Sequence, residues 1–163
     1  MISIKGKDGK FSFRVAGIVI YNNKILLQRA IKTGAWVLPG GRGEINETSE
    51  KTLIREIREE LGADINIKRL VWIIENFNAY GAEGLHEIGF YYLGQLSSNC
   101  KLLDIQGDFE GNENSIKLIF RWFEIDEIDK LEIYPLFLRD NLIKIPQNIQ
   151  HIVNNDSLKT ITS

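Results

Sequence analysis

Residues 11–21, FSFRVAGIVIY, begin in alternation and end in a β-branched apolar run, a pattern that predicts a strand. Asn22-Asn23 then reads as a two-residue hairpin turn into a second strand over 24–29. Residues 31–40 read as a loop, and 48–61 switch to helical periodicity. In that helix Leu53, Ile54, Ile57 and Leu61 share one arc of about 100°. Thr48 or Ser49 can cap it, Glu50 sits in its first turn, and Gly62 stops it. Further strands are predicted over 65–76, 87–96 and 115–124, with Trp122 read as a packing residue. Two long polar loops, 78–86 and 104–114, separate them, and loops of that length tend to be functional or mobile. Residues 126–130 suggest a helical turn, Pro135 can open a helix running to about 144, and the tail after 154 reads as frayed. This order predicts one α+β domain over 1–163, with a core of about 11–145.

Composition narrows the picture without naming a chemistry. A chain of 163 residues, 44% apolar and 26% charged, suits one soluble globular domain and is too short to divide comfortably into two. A net charge of −2 lacks the broad positive field of a nonspecific nucleic-acid binder, so no stable nucleic-acid partner is expected. A small nucleotide can still be held by a few local arginines and a metal. Cys100 is the only cysteine, which excludes an intramolecular disulfide and suits a reducing cytosol. The polar start MISIKGKDGK has no signal-peptide core, and no run approaches a membrane span, so the expected location is cytoplasmic, away from membranes.

The candidate chemistry lies on the helix. Glu56, Glu59 and Glu60 fill the arc beside the apolar stripe, Lys51, Arg55 and Arg58 the remaining side, and Glu47 stands just before the helix. Clustered carboxylates raise one another's pKa unless a cation shares the site, and oxygen ligands favour Mg²⁺ or Mn²⁺ over zinc. Taken alone, REIREEL reads first as an ordinary solvated helix face with an Arg55–Glu59 pair. The spacing of seven identities changes that weighing, since their coincidence has a chance probability of roughly 10⁻⁹ per starting position.

Gly41-x5-Glu47-x7-Arg55-Glu56-Ile57-x-Glu59-Glu60-x-Gly62-Ala63 resembles the Nudix box, the metal-binding loop–helix–loop of Nudix hydrolases. Ala63, where a larger aliphatic residue is common, is a mild departure. Trp36-Val37-Leu38-Pro39-Gly40-Gly41 and Leu26-Leu27-Gln28-Arg29 resemble the family's lead-in, and a looser likeness covers about 11–135. The resemblance implies an α/β/α sandwich with a mixed sheet. It implies a Mg²⁺-dependent hydrolase, with Mn²⁺ as a substitute, cleaving a pyrophosphate linkage in a nucleoside diphosphate derivative. That class spans nucleoside triphosphates, nucleotide sugars such as ADP-ribose, dinucleoside polyphosphates and capped RNA ends. Glu56, Glu59 and Glu60 map onto the metal-binding positions, with the Gly40 carbonyl a further ligand. Glu56, Arg55 and Glu59 are the catalytic candidates; Arg55 orients a carboxylate, with Glu47 as its partner. The general base is either Glu56 or a later glutamate among Glu110, Glu113 and Glu83. Glycines at 40, 41 and 43 permit the close turn of loop against helix.

Outside the box, Arg14, Arg29, Glu87 and Glu113 are the substrate-binding candidates. His86-Glu87 reads first as a polar pair at a strand end, and Trp36, Trp72, Phe77 and Tyr80 as core or loop anchors before base-stacking faces. The apolar stretch LIKIPQNIQHIV can join two chains into a homodimer or cap its own core. A non-catalytic nucleotide-sugar sensor or partner-binding module on the same scaffold is the alternative function, and the intact glutamates argue against it. Isoprenoid diphosphate isomerisation, also known on this scaffold, calls for a catalytic cysteine that Cys100 matches poorly.

Overall fold

A computed structural model describes residues 1–31, 34–112 and 117–157. The strands and helices in chain order are β1 (Ser3–Lys5), β2 (Lys10–Tyr21), β3 (Lys24–Ala30), β4 (Trp36–Val37), β5 (Gly40–Arg42), α1 (Ser49–Leu61), β6 (Ile65–Phe77), β7 (Leu85–Leu96), β8 (Phe109–Glu110), β9 (Leu118–Glu124), β10 (Ile133–Tyr134), α2 (Phe137–Asn141) and β11 (Gln150–Asn155). Short 3₁₀ turns cover Ala79–Gly81, Lys101–Asp104 and Ile125–Lys130. The main sheet runs β10-β4-β3-β2-β7-β6-β11. β2 with β7, β10 with β4 and β11 with β6 are parallel, whereas β3 and β6 pair antiparallel with β2 and β7 respectively. The sheet is therefore mixed.

Alternation along the central strands sorts side chains into two cores. From β2, Val15 and Val19 join Leu53, Ile57 and Leu61 beneath α1. Ala16 and Ile18 point to the opposite face, with Ile25, Leu27, Ile128, Leu138 and Leu142. This is the α/β/α layering that the resemblance implies. Asn22 and Asn23 both adopt left-handed backbone, with φ of 48° and 61°, as a tight hairpin between β2 and β3 requires. α1 is capped by Thr48, whose hydroxyl accepts from Lys51 N at 3.3 Å. It ends at Gly62, at φ 62°, whose N–H returns to the Arg58 carbonyl.

Three expectations are corrected. The predicted loop over 31–40 contains β4, whose two residues are too few to show any periodicity. The helix expected from Pro135 to about 144 is only Phe137–Asn141, at whose end the Asn141 side-chain amide donates to the Phe137 carbonyl at 2.7 Å and competes with the backbone ladder. The tail is not frayed through 157: β11 pairs with β6, and Asp156 beyond it is 1% exposed. Cross-sheet pairing of a polar segment has no local signature. Leu142, Ile145 and Ile152 of the C-terminal apolar stretch pack on the chain's own core. Glu113, the start of the predicted strand at 115–116 and the tail over 158–163 lie outside the described residues.

Candidate active site

Arg55 organises the box. Its Nε and Nη2 donate to the two carboxylate oxygens of Glu47 at 2.9 and 3.0 Å, a two-pronged pairing. Nη2 also donates to the Arg42 carbonyl at 3.1 Å, while Nη1 donates to Glu56 at 2.7 Å and, more weakly, to Glu59 at 3.4 Å. Thr52 Oγ1 adds a 2.7 Å bond to Glu47. The arginine hydrogen bonds hold the Glu47 pKa down at about 2, and the Arg55 guanidinium is raised in turn by Glu47 and then Glu56. Burial pushes the Glu56 carboxyl up, against the pull of Arg55.

Backbone geometry explains the glycines. A Cβ at Gly41 would collide with the Glu56 carboxylate, and one at Gly40, where φ is 151°, with the Val15 carbonyl. The loop thus lies flat against the helix and leaves room for one carboxylate. Glu60 is 4% exposed beside it, while the Glu59 side chain is half exposed. The expected convergence of Glu56, Glu59 and Glu60 needs correcting in one respect. Among the described residues no three acidic, histidine or cysteine side chains stand in a ready ligand arrangement. Arg55 lies between Glu47, Glu56 and Glu59 and supplies the positive charge that the cluster demands. The donors still suit a hard divalent cation: they are all oxygen, two are largely buried, and the Gly41 cradle admits nothing but the carboxylate.

Beside the box lies a cavity of about 260 Å³ lined by Arg14, Gln28, Arg29, Arg42, Tyr80 and Glu87, among others. It gathers three of the four substrate-binding candidates. Arg14 donates to the Leu38 carbonyl at 2.9 Å, in the turn that leads into Gly40. Burial works against its charge, yet facing Tyr80, Glu87, Tyr91 and Glu60 outweigh that and raise its pKa. Glu87, 3% exposed, accepts from Ser12 Oγ at 3.1 Å and Tyr80 Oη at 2.8 Å. Burial raises the Tyr80 phenol well above its ordinary value, so it remains a donor. Arg29 lies 4.7 Å from the Trp36 ring centroid and 3.8 Å from Asp108.

The remaining candidates separate. Glu83 lines a different hollow, of about 660 Å³, with Lys5, Lys7 and Lys10. Glu110 is exposed on β8, which is carried towards the box because Asn112 N donates to the Glu60 carbonyl at 2.6 Å. Trp36 and Trp72 are core residues, and Phe77 stacks on His86 on the sheet's other side from Glu87, so of the four aromatics only Tyr80 lines the cavity. Trp122 packs beneath α1 with its Nε1 on the Leu102 carbonyl. Sequence reasoning did not nominate as site residues Arg42, which follows Gly41, or Gln28, which stands in the quoted lead-in, and missed Asp156, for which the polar tail carries no signal.

The model of the NUDIX domain family matches residues 12–141. The chain belongs to the Nudix family. It is 44% identical over 63 residues to the 8-oxo-dGTP diphosphatase of Proteus vulgaris, covering 36% of this chain and 56% of that protein. It is 40% identical over 62 residues to the ADP-ribose pyrophosphatase of Methanocaldococcus jannaschii, covering 36% and 37% respectively. The chain thus spans about half, or less, of these curated Nudix relatives. The Nudix hydrolase of Nitrosomonas europaea superposes with a TM-score of 0.62 at 22% identity, covering 88% of this chain and 78% of that one. That likeness speaks for the fold. The two relatives bear different substrate names at similar identity, so the shared Nudix stretch does not identify a substrate.

Proposed function

We propose that the chain is a divalent-cation-dependent hydrolase that cleaves the pyrophosphate linkage of a small nucleoside diphosphate derivative in the cytoplasm. The observation that carries this reading is the pairing of two sites. Glu60, buried, and Glu56, partly buried, lie on a helix locked by Arg55. Beside it is a cavity to which Arg14, Arg29 and Arg42 contribute. Glu56, Glu59, Glu60 and the Gly40 carbonyl would hold Mg²⁺ or Mn²⁺. Such an ion neutralises phosphoryl charge and lowers the pKa of an attacking water. The protein's own contributions are distinct. Glu47 and Arg55 hold Glu56 in place, Gly41 keeps the loop close enough to present backbone beside it, and the arginines bind and orient the polyphosphate. Glu56 is the proposed general base, with Glu110 as the later-loop alternative. No helix among the described residues is long and apolar enough to cross a membrane, and the single cysteine suits the reducing compartment proposed.

The test is a panel of nucleoside triphosphates, nucleotide sugars and dinucleoside polyphosphates, incubated with Mg²⁺ or Mn²⁺ and resolved by product mass. Release of a nucleoside monophosphate from at least one substrate is expected. Binding without cleavage across the panel, in either metal, would favour a sensor module instead.

A further inference from the structure

Immediately after β11, the side chain of Asp156 is buried, and its described partners are all neutral donors. Oδ2 accepts from Asn76 Nδ2 and from the Tyr80 backbone N–H, each at 2.9 Å. Oδ1 accepts from the Leu136 backbone N–H at 2.9 Å and from Asn154 Nδ2 at 2.8 Å. Burying polar oxygens this deeply is costly unless their lone pairs are used, and here four donors use them. Those donors include the end of β6, the turn at 79–81 and the turn after β10, which the one side chain ties together. Adjacent residues act on the same turn. Asn78 Nδ2 donates to Asn155 Oδ1 at 3.1 Å and to Ser157 Oγ at 3.3 Å.

Tyr80 is what this arrangement holds. Its backbone sits at φ 59° and ψ 23°, a left-handed conformation that a bulky L-residue resists unless its surroundings impose it. In that conformation its hydroxyl reaches Glu87 Oε1 at 2.8 Å in the wall of the cavity. Glu87 and Tyr80 in turn face Arg14, whose guanidinium is bonded to Leu38 in the turn entering the box.

We propose that Asp156 is a positioning residue of the substrate cavity: it fixes the Tyr80 backbone so that the phenol holds Glu87 beside Arg14. Residues beyond the family-matched 12–141 therefore complete the site. The role deepens the hydrolase reading and rests on it, so the test has one arm that needs no substrate.

In that arm, hydrogen exchange is followed on the full chain as wild type, Asp156→Asn and Asn154→Ala. Asparagine would turn an amide NH₂ towards N–H donors. Peptides covering 78–84 and 134–138 are expected to lose protection together while α1 keeps its own. Asn154→Ala should give the same pattern more weakly, and it decides the matter if Asp156→Asn does not fold. Unchanged exchange in these two peptides, or equal loss throughout the sheet, would overturn the proposal. In the kinetic arm, whichever of ADP-ribose, ATP and diadenosine tetraphosphate is cleaved fastest with Mg²⁺ serves as the probe. Asp156→Asn and Tyr80→Phe should each raise KM about tenfold with kcat nearly unchanged, the size expected for one lost buried hydrogen bond. The double variant should be no worse than Asp156→Asn, because both changes act through one hydroxyl. Additive losses, or a fall in kcat alone, would overturn the proposal. If the wild type cleaves no member of the wider substrate panel in either metal, the hydrolase reading fails, and the exchange arm still decides whether Asp156 holds Tyr80.

Discussion

The box and the cavity wall are neighbours in space and opposites in construction. In the box, Arg55 bonds partners one, four and eight residues away, and Thr52 reaches Glu47 across five. In the cavity wall, Ser12 reaches Glu87 across 75 residues, and Asp156 reaches Tyr80 across 76 and Asn76 across 80. The first site is set within one continuous loop–helix segment from Arg42 to Glu59, and the second only by the assembled sheet. The difference suggests a division of labour. On the proposed function, the reacting groups sit on the locally determined helix and the substrate-binding groups where distant strands meet, with Arg14 joining the two through the Leu38 carbonyl.

The largest effects should come from the local site. Glu56→Gln and Glu60→Gln are each expected to lower kcat/KM by about 10²–10³-fold, as for removal of a group acting on transition-state charge. Their thermal unfolding midpoints should stay within a few degrees of wild type. Wild-type turnover by both variants would remove the box from the chemistry. Gly41→Ala comes next. Its Cβ must displace the Glu56 carboxylate, so kcat should fall about tenfold or more while circular dichroism stays unchanged. A wild-type rate from the Gly41→Ala enzyme would show that the close approach is incidental.

Smaller effects should mark the cavity wall and the supports. Arg14→Lys keeps the charge but loses the guanidinium fork that bonds Leu38. It should raise KM about tenfold and spare kcat, and the reverse split would place Arg14 with the reacting groups. The Glu47–Arg55 pair makes a pH prediction. Glu47 titrates at about 2 in the folded protein against an ordinary 4.5. Its stabilisation is therefore complete above about 4.5 and lost as pH falls towards 2. In metal-free buffer, Glu47→Gln should be less stable than wild type at pH 7, with the gap closing over that acid range. A constant gap would disconnect it from titration. Least of all, Thr48→Ala removes a long, exposed cap bond and should cost under about 1 kcal/mol in urea unfolding.

Much of this molecule was legible along the chain. Strands β2, β3, β6 and β7, helix α1 with its cap and stop, and the Asn22-Asn23 turn all follow from periodicity and turn chemistry, because neighbours in sequence decide them. Strands of two residues, such as β4, carry no period to read, and β11 owes its place to β6 rather than to its own polar residues. Arg14, Arg29 and Glu87 could be nominated from residue type, but nothing linear says that they share one cavity.

By itself the sequence determined a helix bearing glutamates at fixed angular intervals, glycines where the backbone must come close, and hence the kind of chemistry the chain can support. Those properties depend on residues within a few turns of one another. Only the tertiary structure decided that three arginines line one cavity and that a tail aspartate reaches a tyrosine in its wall. Each of these depends on which strands lie side by side, a free-energy balance settled by the whole sheet and both of its cores.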